Sequence, residues 1–131
     1  MPKKKTEKRK LKDKLEKIVK QIVKIRDNYT CQKCGKKVEG VNCHASHVIP
    51  VSRDGRLAYD VRNMKVMCYH CHINWFHKHP VEAGRWFTEK FPHRWTYLEH
   101  KYNNNSKGGS IPLWWYEERI EYYTELLKRI S

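Results

Sequence analysis

The chain has 131 residues, with 28 Lys and Arg against 14 Asp and Glu, for a formal net charge of +14. That length suits one small domain with extensions, and the positive excess predicts attraction to a polyanion, most commonly nucleic acid. No stretch approaches the roughly 20 apolar residues of a membrane span, and no apolar signal core follows the lysine-rich start, so a cytoplasmic protein with no membrane partner is expected.

In residues 1–27, Leu11, Leu15, Ile18, Ile22 and Ile25 recur at helical spacing, which predicts an amphipathic helix with a basic outer face. The opening MPKKKTEKRK lacks the stripe and reads as an arm. CQKCG at 31–35 reads as a tight turn. Val48–Val51 is β-branched and predicts a short strand broken by Pro50; Asp54-Gly55 signals a turn, and 63–67 is a second candidate strand. A helix should begin at His72, another should run from Pro80 to Lys90, and a third from Pro92 to Tyr102. NNNSKGGS at 103–110 is a loop. In the final helix Tyr116, Ile120, Tyr123, Leu127 and Ile130 form a stripe with Glu117, Glu118, Glu121 and Glu125 mostly off it. This acidic helix is a natural packing partner for the basic N-terminal one.

The five cysteines form two pairs and a remainder. Cys31-x-x-Cys34 and Cys68-x-x-Cys71 are knuckles of the kind that offer four thiolates to one tetrahedral ion, so structural Zn²⁺ is expected. Such binding supplies on the order of 10 kcal/mol toward folding. Cys43 is left as a small buried residue. The tryptophans, Trp75, Trp86, Trp95, Trp114 and Trp115, read mainly as packing.

Between and after the knuckles stand His47, Asn63 and His72. The run CQKCG, SHVIPVSR, VRNMKVMC and CYHCH, over about residues 31–79, resembles the zinc-bearing HNH, or ββα-metal, endonucleases. The resemblance implies a small α+β fold: a zinc-stabilised ββα, treble-clef-like core with flanking N- and C-terminal helices. Residues 1–29 would be a basic arm and helix, 30–91 the nuclease core, and 92–131 a helical extension. It also implies roles: His47 as general base, Asn63 holding the loop and orienting that base, and His72 as ligand of a catalytic Mg²⁺ or Mn²⁺. Hydrolysing a phosphodiester needs both a base for water and a cation for the developing charge.

Two positions depart from the family pattern. Ser46 stands where many members carry a metal-binding Asp, and Phe76 where a second histidine is common. His77, one residue later, could serve as a ligand if the helix is locally distorted. His44 is another substitute, although strand alternation sets it on the face opposite His47. The run from His44 to Asn74 also resembles the phage NinG/Rap recombination nucleases, which implies branched DNA as substrate and a bacterial host cytoplasm. Arg53, Arg56, Arg62 and Lys65 are the expected phosphate contacts, and a homodimer would suit paired-strand cutting. The rival reading is a non-catalytic treble-clef module that binds DNA or RNA and leaves His47 incidental.

Overall fold

The computed structural model describes residues 6–50, 55–104 and 110–131. Val51, Arg53, Asp54 and most of the predicted 103–110 loop lie outside the described residues.

Helix α1 spans Glu7–Arg26. The Thr6 hydroxyl accepts the Arg9 backbone N–H at 3.2 Å, Glu7 lies at the positive end of the helix dipole, and Lys24 and Arg26 lie at the negative end. The buried line is Leu15, Val19, Ile22 and Val23. The two valines turn the inner face away from the predicted stripe, so that Leu11 and Ile18 only flank it. The end of α1 is tied to the sheet: Arg26 donates to the carbonyls of Val61 and Met64, each at 2.6 Å. The Asp27 carboxylate accepts the Val66 N–H at 2.8 Å.

Strand β1 is His44–His47 and pairs antiparallel with β2, Met64–Met67, with His44 opposite Met67 and His47 opposite Met64. The strand therefore ends where the predicted one began. The reason lies in Asn63: its side-chain oxygen accepts the Ile49 N–H at 2.7 Å, and its amide donates to the Ile49 carbonyl at 3.0 Å. The Ile49 ladder groups are thus taken by a side chain, while the Val48 N–H donates to the Asn63 backbone carbonyl at 2.9 Å. Gln32 N–H donates to the Val66 carbonyl at 2.9 Å, which lays the first knuckle along β2.

His70–Phe76 forms a π-helix, followed by α2 (Pro80–Lys90), α3 (Pro92–Asn104) and α4 (Leu113–Ile130). Helices α1 and α4 pack more extensively than any other pair of elements. Tyr116, Ile120 and Tyr123 of α4 join Leu15, Val19, Ile22, Val23, Met64 and Val66 in one core. Each fully buried aliphatic side chain there contributes roughly 1.5–3 kcal/mol. A second cluster gathers Ile49, Leu57, Phe87 and Leu98 under Trp86, Phe91 and Trp95. Trp75 and Trp115 pack on the first core, whereas Trp114 is 63% exposed. The result is a small two-stranded sheet held among helices, with a cysteine cluster at one end. No helix among the described residues is long and apolar enough to cross a membrane.

Candidate active site and metal centre

The sulfurs of Cys31, Cys34, Cys68 and Cys71 all lie within 4.8 Å of one another. Tetrahedral Zn–S bonds of about 2.3 Å would set sulfurs about 3.8 Å apart, and Sγ of Cys34 and Cys68 stand at 3.9 Å. The knuckle turns aim backbone N–H groups inward, as in Cys71 N–H to Cys68 Sγ at 3.4 Å. Burial raises the Cys31 thiol, but the backbone groups of Cys34, Cys68 and Lys33 outweigh it and bring it down to about 7. Burial and the neighbouring sulfurs push Cys71 far above the usual thiol range, and burial raises Cys34 as well. Four thiols this close ionise together only around a cation. The donor set fits structural Zn²⁺. Cys43 is buried apart from this cluster, in the core.

His47 closes β1. Its Nε2 lies 3.0 Å from the Ala58 carbonyl, which can only accept, so Nε2 carries the proton and Nδ1 of the neutral ring keeps its lone pair. Burial pulls the His47 pKa below its ordinary value, and the charges of Lys20 and Lys65 add to this against the Ala58 hydrogen bond. The ring is therefore a neutral acceptor at pH 7. Asn63 is wholly buried and donates to the Leu57 carbonyl at 3.0 Å as well as to Ile49. It thereby pins the loop whose next residue, Ala58, holds His47. The imidazole opens into a groove of about 500 Å³ that Lys8, Lys12, Glu16 and Tyr59 also line.

On the other side of β1, His44 Nδ1 and His72 Nδ1 meet at 2.9 Å. His72 is half-buried at the start of the π-helix, and burial first, then the charges of His77, His44, Lys65 and His47, hold its pKa down to about 4. The wide turn supplies the local distortion that would bring His77 inward: its N–H donates to the His72 carbonyl five residues back at 3.1 Å. The two rings stack edge to face with centroids 4.5 Å apart. Ser46 is 1% exposed and accepts from the Lys65 ammonium at 3.2 Å.

Residues 31–75 match the family model of the HNH endonucleases. No curated protein and no solved structure matches the chain. The HNH segment starts at the first zinc cysteine and ends inside the π-helix, so it contains His47, Asn63 and His72, with His77 just beyond. Residues 31–75 are thus similar to the HNH endonucleases, and the four cysteines in that segment form a site suited to a metal ion.

Of the expected phosphate contacts, Arg62 is exposed, with its guanidinium 4.2 Å from the centre of the Tyr97 ring. Arg56 lines a small cavity with Lys101 and Arg119, and Arg53 lies outside the described residues. Lys65 is placed differently. It is fully buried, with its ammonium 3.7 Å from the centre of the Phe76 ring, and burial takes its pKa down to about 7. Enclosed in this way, its amine cannot reach a surface-bound phosphate. Sequence patterning did not single out Lys8 and Lys12 beside His47, because only the packing of α1 over the groove brings them there. The Ala58 carbonyl carries no side-chain signal at all.

Proposed function

We propose that the protein is a metal-dependent HNH endonuclease that hydrolyses DNA phosphodiester bonds. The observation that carries this reading is His47: an imidazole with Nε2–H fixed on the Ala58 carbonyl, which leaves the Nδ1 lone pair as its proton acceptor, in a groove lined by Lys8 and Lys12. Nδ1 takes a proton from water as the water oxygen bonds to phosphorus, and the bond to the leaving sugar oxygen breaks, that oxygen taking a proton from solvent. Asn63 keeps the base aimed by fixing its loop. His72, with His77 as a further ligand, would hold a divalent ion such as Mg²⁺ or Mn²⁺, which would supply charge stabilisation at the phosphate and leaving oxygen. Lys8, Lys12, Arg56 and Arg62, with Arg53, supply the positive surface for the backbone. Branched recombination intermediates, as for the NinG/Rap nucleases it resembles, are the proposed substrate class, and a cytoplasmic homodimer is the form suited to cutting both strands.

The rival, a zinc module that binds nucleic acid without cleaving it, draws on one observation: Ser46 is engaged by Lys65 and offers no acidic ligand. Nicking of supercoiled plasmid separates the two. Wild type should nick with Mg²⁺ or Mn²⁺ and not with EDTA, and His47→Ala should bind DNA and zinc without nicking. Undiminished nicking by His47→Ala sinks the assignment of the base. A zinc-loaded, DNA-binding wild type that cuts neither plasmid nor branched DNA in any divalent ion makes the module the correct reading.

A further inference from the structure

We propose that His44 and His72 together bind one divalent ion through their Nδ1 atoms, and that this all-imidazole pair takes a transition-metal ion rather than Mg²⁺. The site deepens the nuclease reading by naming its ion, but its existence does not depend on cleavage.

The geometry is that of a chelating pair. Tetrahedral metal–imidazole bonds of about 2.1 Å place two nitrogens about 3.4 Å apart; the two Nδ1 atoms stand at 2.9 Å, so the rings need to part by only about 0.5 Å to take one ion between them. His44 Nε2 lies 2.9 Å from the Val41 carbonyl. A carbonyl only accepts, so the proton is on Nε2 and the Nδ1 lone pair points at His72. This backbone anchor is the arrangement that orients a metal-binding histidine through its far nitrogen. The Tyr69 ring, edge-on with its centroid 6.0 Å from that of His44, and the His77 ring against His72 hold the pair from either side. The two Nδ1 atoms come from different elements, β1 and the π-helix, and ordinary strand alternation puts both His44 and Ser46 on the side the π-helix covers.

The neighbouring position is closed to an ion. Between Ser46 and the Phe76 ring sits the buried amine of Lys65, 3.2 Å from the hydroxyl and 3.7 Å from the ring centre. Neither Ser46 nor Phe76 can supply what His44 supplies. The donor chemistry then selects the ion. The three elements read HASH, MKVM and HCHINWF and contain no carboxylate. Mg²⁺ demands oxygen ligands, whereas imidazole suits Zn²⁺, Ni²⁺ and similar ions.

Zinc content of the full chain after equilibrium dialysis against free Zn²⁺ tests this, with plasmid nicking run on the same samples. Wild type should hold two zinc ions, and His44→Ala and His72→Ala one each, with unchanged melting. His93→Ala, a surface control outside the site, should keep two, and excess Mg²⁺ should not displace the second. A single zinc in wild type, a second zinc retained by His44→Ala, or displacement by Mg²⁺ overturns the inference. Nicking by a wild type that holds only one zinc refutes this site and leaves the nuclease standing. A second zinc without any nicking keeps the site and refutes the nuclease.

Discussion

Lys65→Met asks what a fully buried amine does to the stability of this fold. The side chain is enclosed by Phe76 and Phe87, and its ammonium has the Ser46 hydroxyl as its hydrogen-bond acceptor. Burial is the main cause of its lowered pKa; Arg94 adds repulsion, and Asp27 and Cys31 act in the opposite direction. The fall from 10.5 to about 7 corresponds to about 5 kcal/mol against the charged form. At pH 7, with the folded amine about half ionised, the cost to folding is about 4 kcal/mol. Methionine keeps the aliphatic contacts but leaves the Ser46 hydroxyl without its donor, a loss of about 1–2 kcal/mol. The variant should therefore be more stable than wild type by about 2–3 kcal/mol at neutral pH. The sign with pH follows from the lowered folded pKa. Between about 7 and 10.5 the unfolded chain holds the extra proton, so wild-type stability rises with pH through that window and the penalty is full below it. The advantage of Lys65→Met should be largest near pH 6 and shrink toward pH 10. Denaturant unfolding of both zinc-loaded proteins across this range measures it, and the cysteine titration, common to both, cancels in the difference. A variant less stable than wild type near pH 6, or an advantage that does not change with pH, refutes the reasoning.

Three further outcomes follow from the same structure. Asn63→Ala strands the Ile49 N–H and the carbonyls of Ile49 and Leu57; it should cost about 3 kcal/mol in urea unfolding, and a loss below about 1 kcal/mol contradicts the pinning role. Removing zinc with a strong chelator, or breaking its site with Cys71→Ser, should abolish the cooperative melting transition by circular dichroism, since four crowded thiols lose their counter-ion. Unchanged melting after verified zinc loss rules out a structural ion. Burial lowers the His47 pKa, which extends the neutral, proton-accepting form toward acid. Single-turnover cleavage should then reach half its plateau rate at a pH below the ordinary histidine value of 6.5. A decline already complete by about pH 7 places the base elsewhere.

Local spacing made much of the protein readable before any fold was known. A Cys-x-x-Cys turn sets the distance between its own two sulfurs, so the zinc frame is written in neighbouring residues. Helix α2 begins at a proline and ends before Phe91-Pro92, as its residues require. The order His47, Asn63, His72, between and just after the knuckles, was enough to find the segment that the HNH match covers. Helix stripes also gave away the partners, because the apolar faces of α1 and α4 are buried against each other and the sheet.

Other features came from contacts between residues far apart in the chain. The apolar run Val48–Val51 looked like the strand, but the Asn63 side chain claimed the backbone groups of Ile49, and the pairing lies at His44–His47. Lys65 looked like a surface cation because alternation names faces without saying which are covered, and β2 is buried along its whole length. The π-turn brings His77 beside His72, and strand pairing brings His44 to the same ring. A single widened turn, or a side chain that replaces a ladder, changes the free energy by a few kcal/mol and leaves no periodic trace. The sequence therefore determined which chemistry the chain can carry, through residue types at short fixed spacings. Tertiary packing alone decided which of its eight histidines meet and where its cations are spent, because desolvation and long-range pairing act on the assembled molecule.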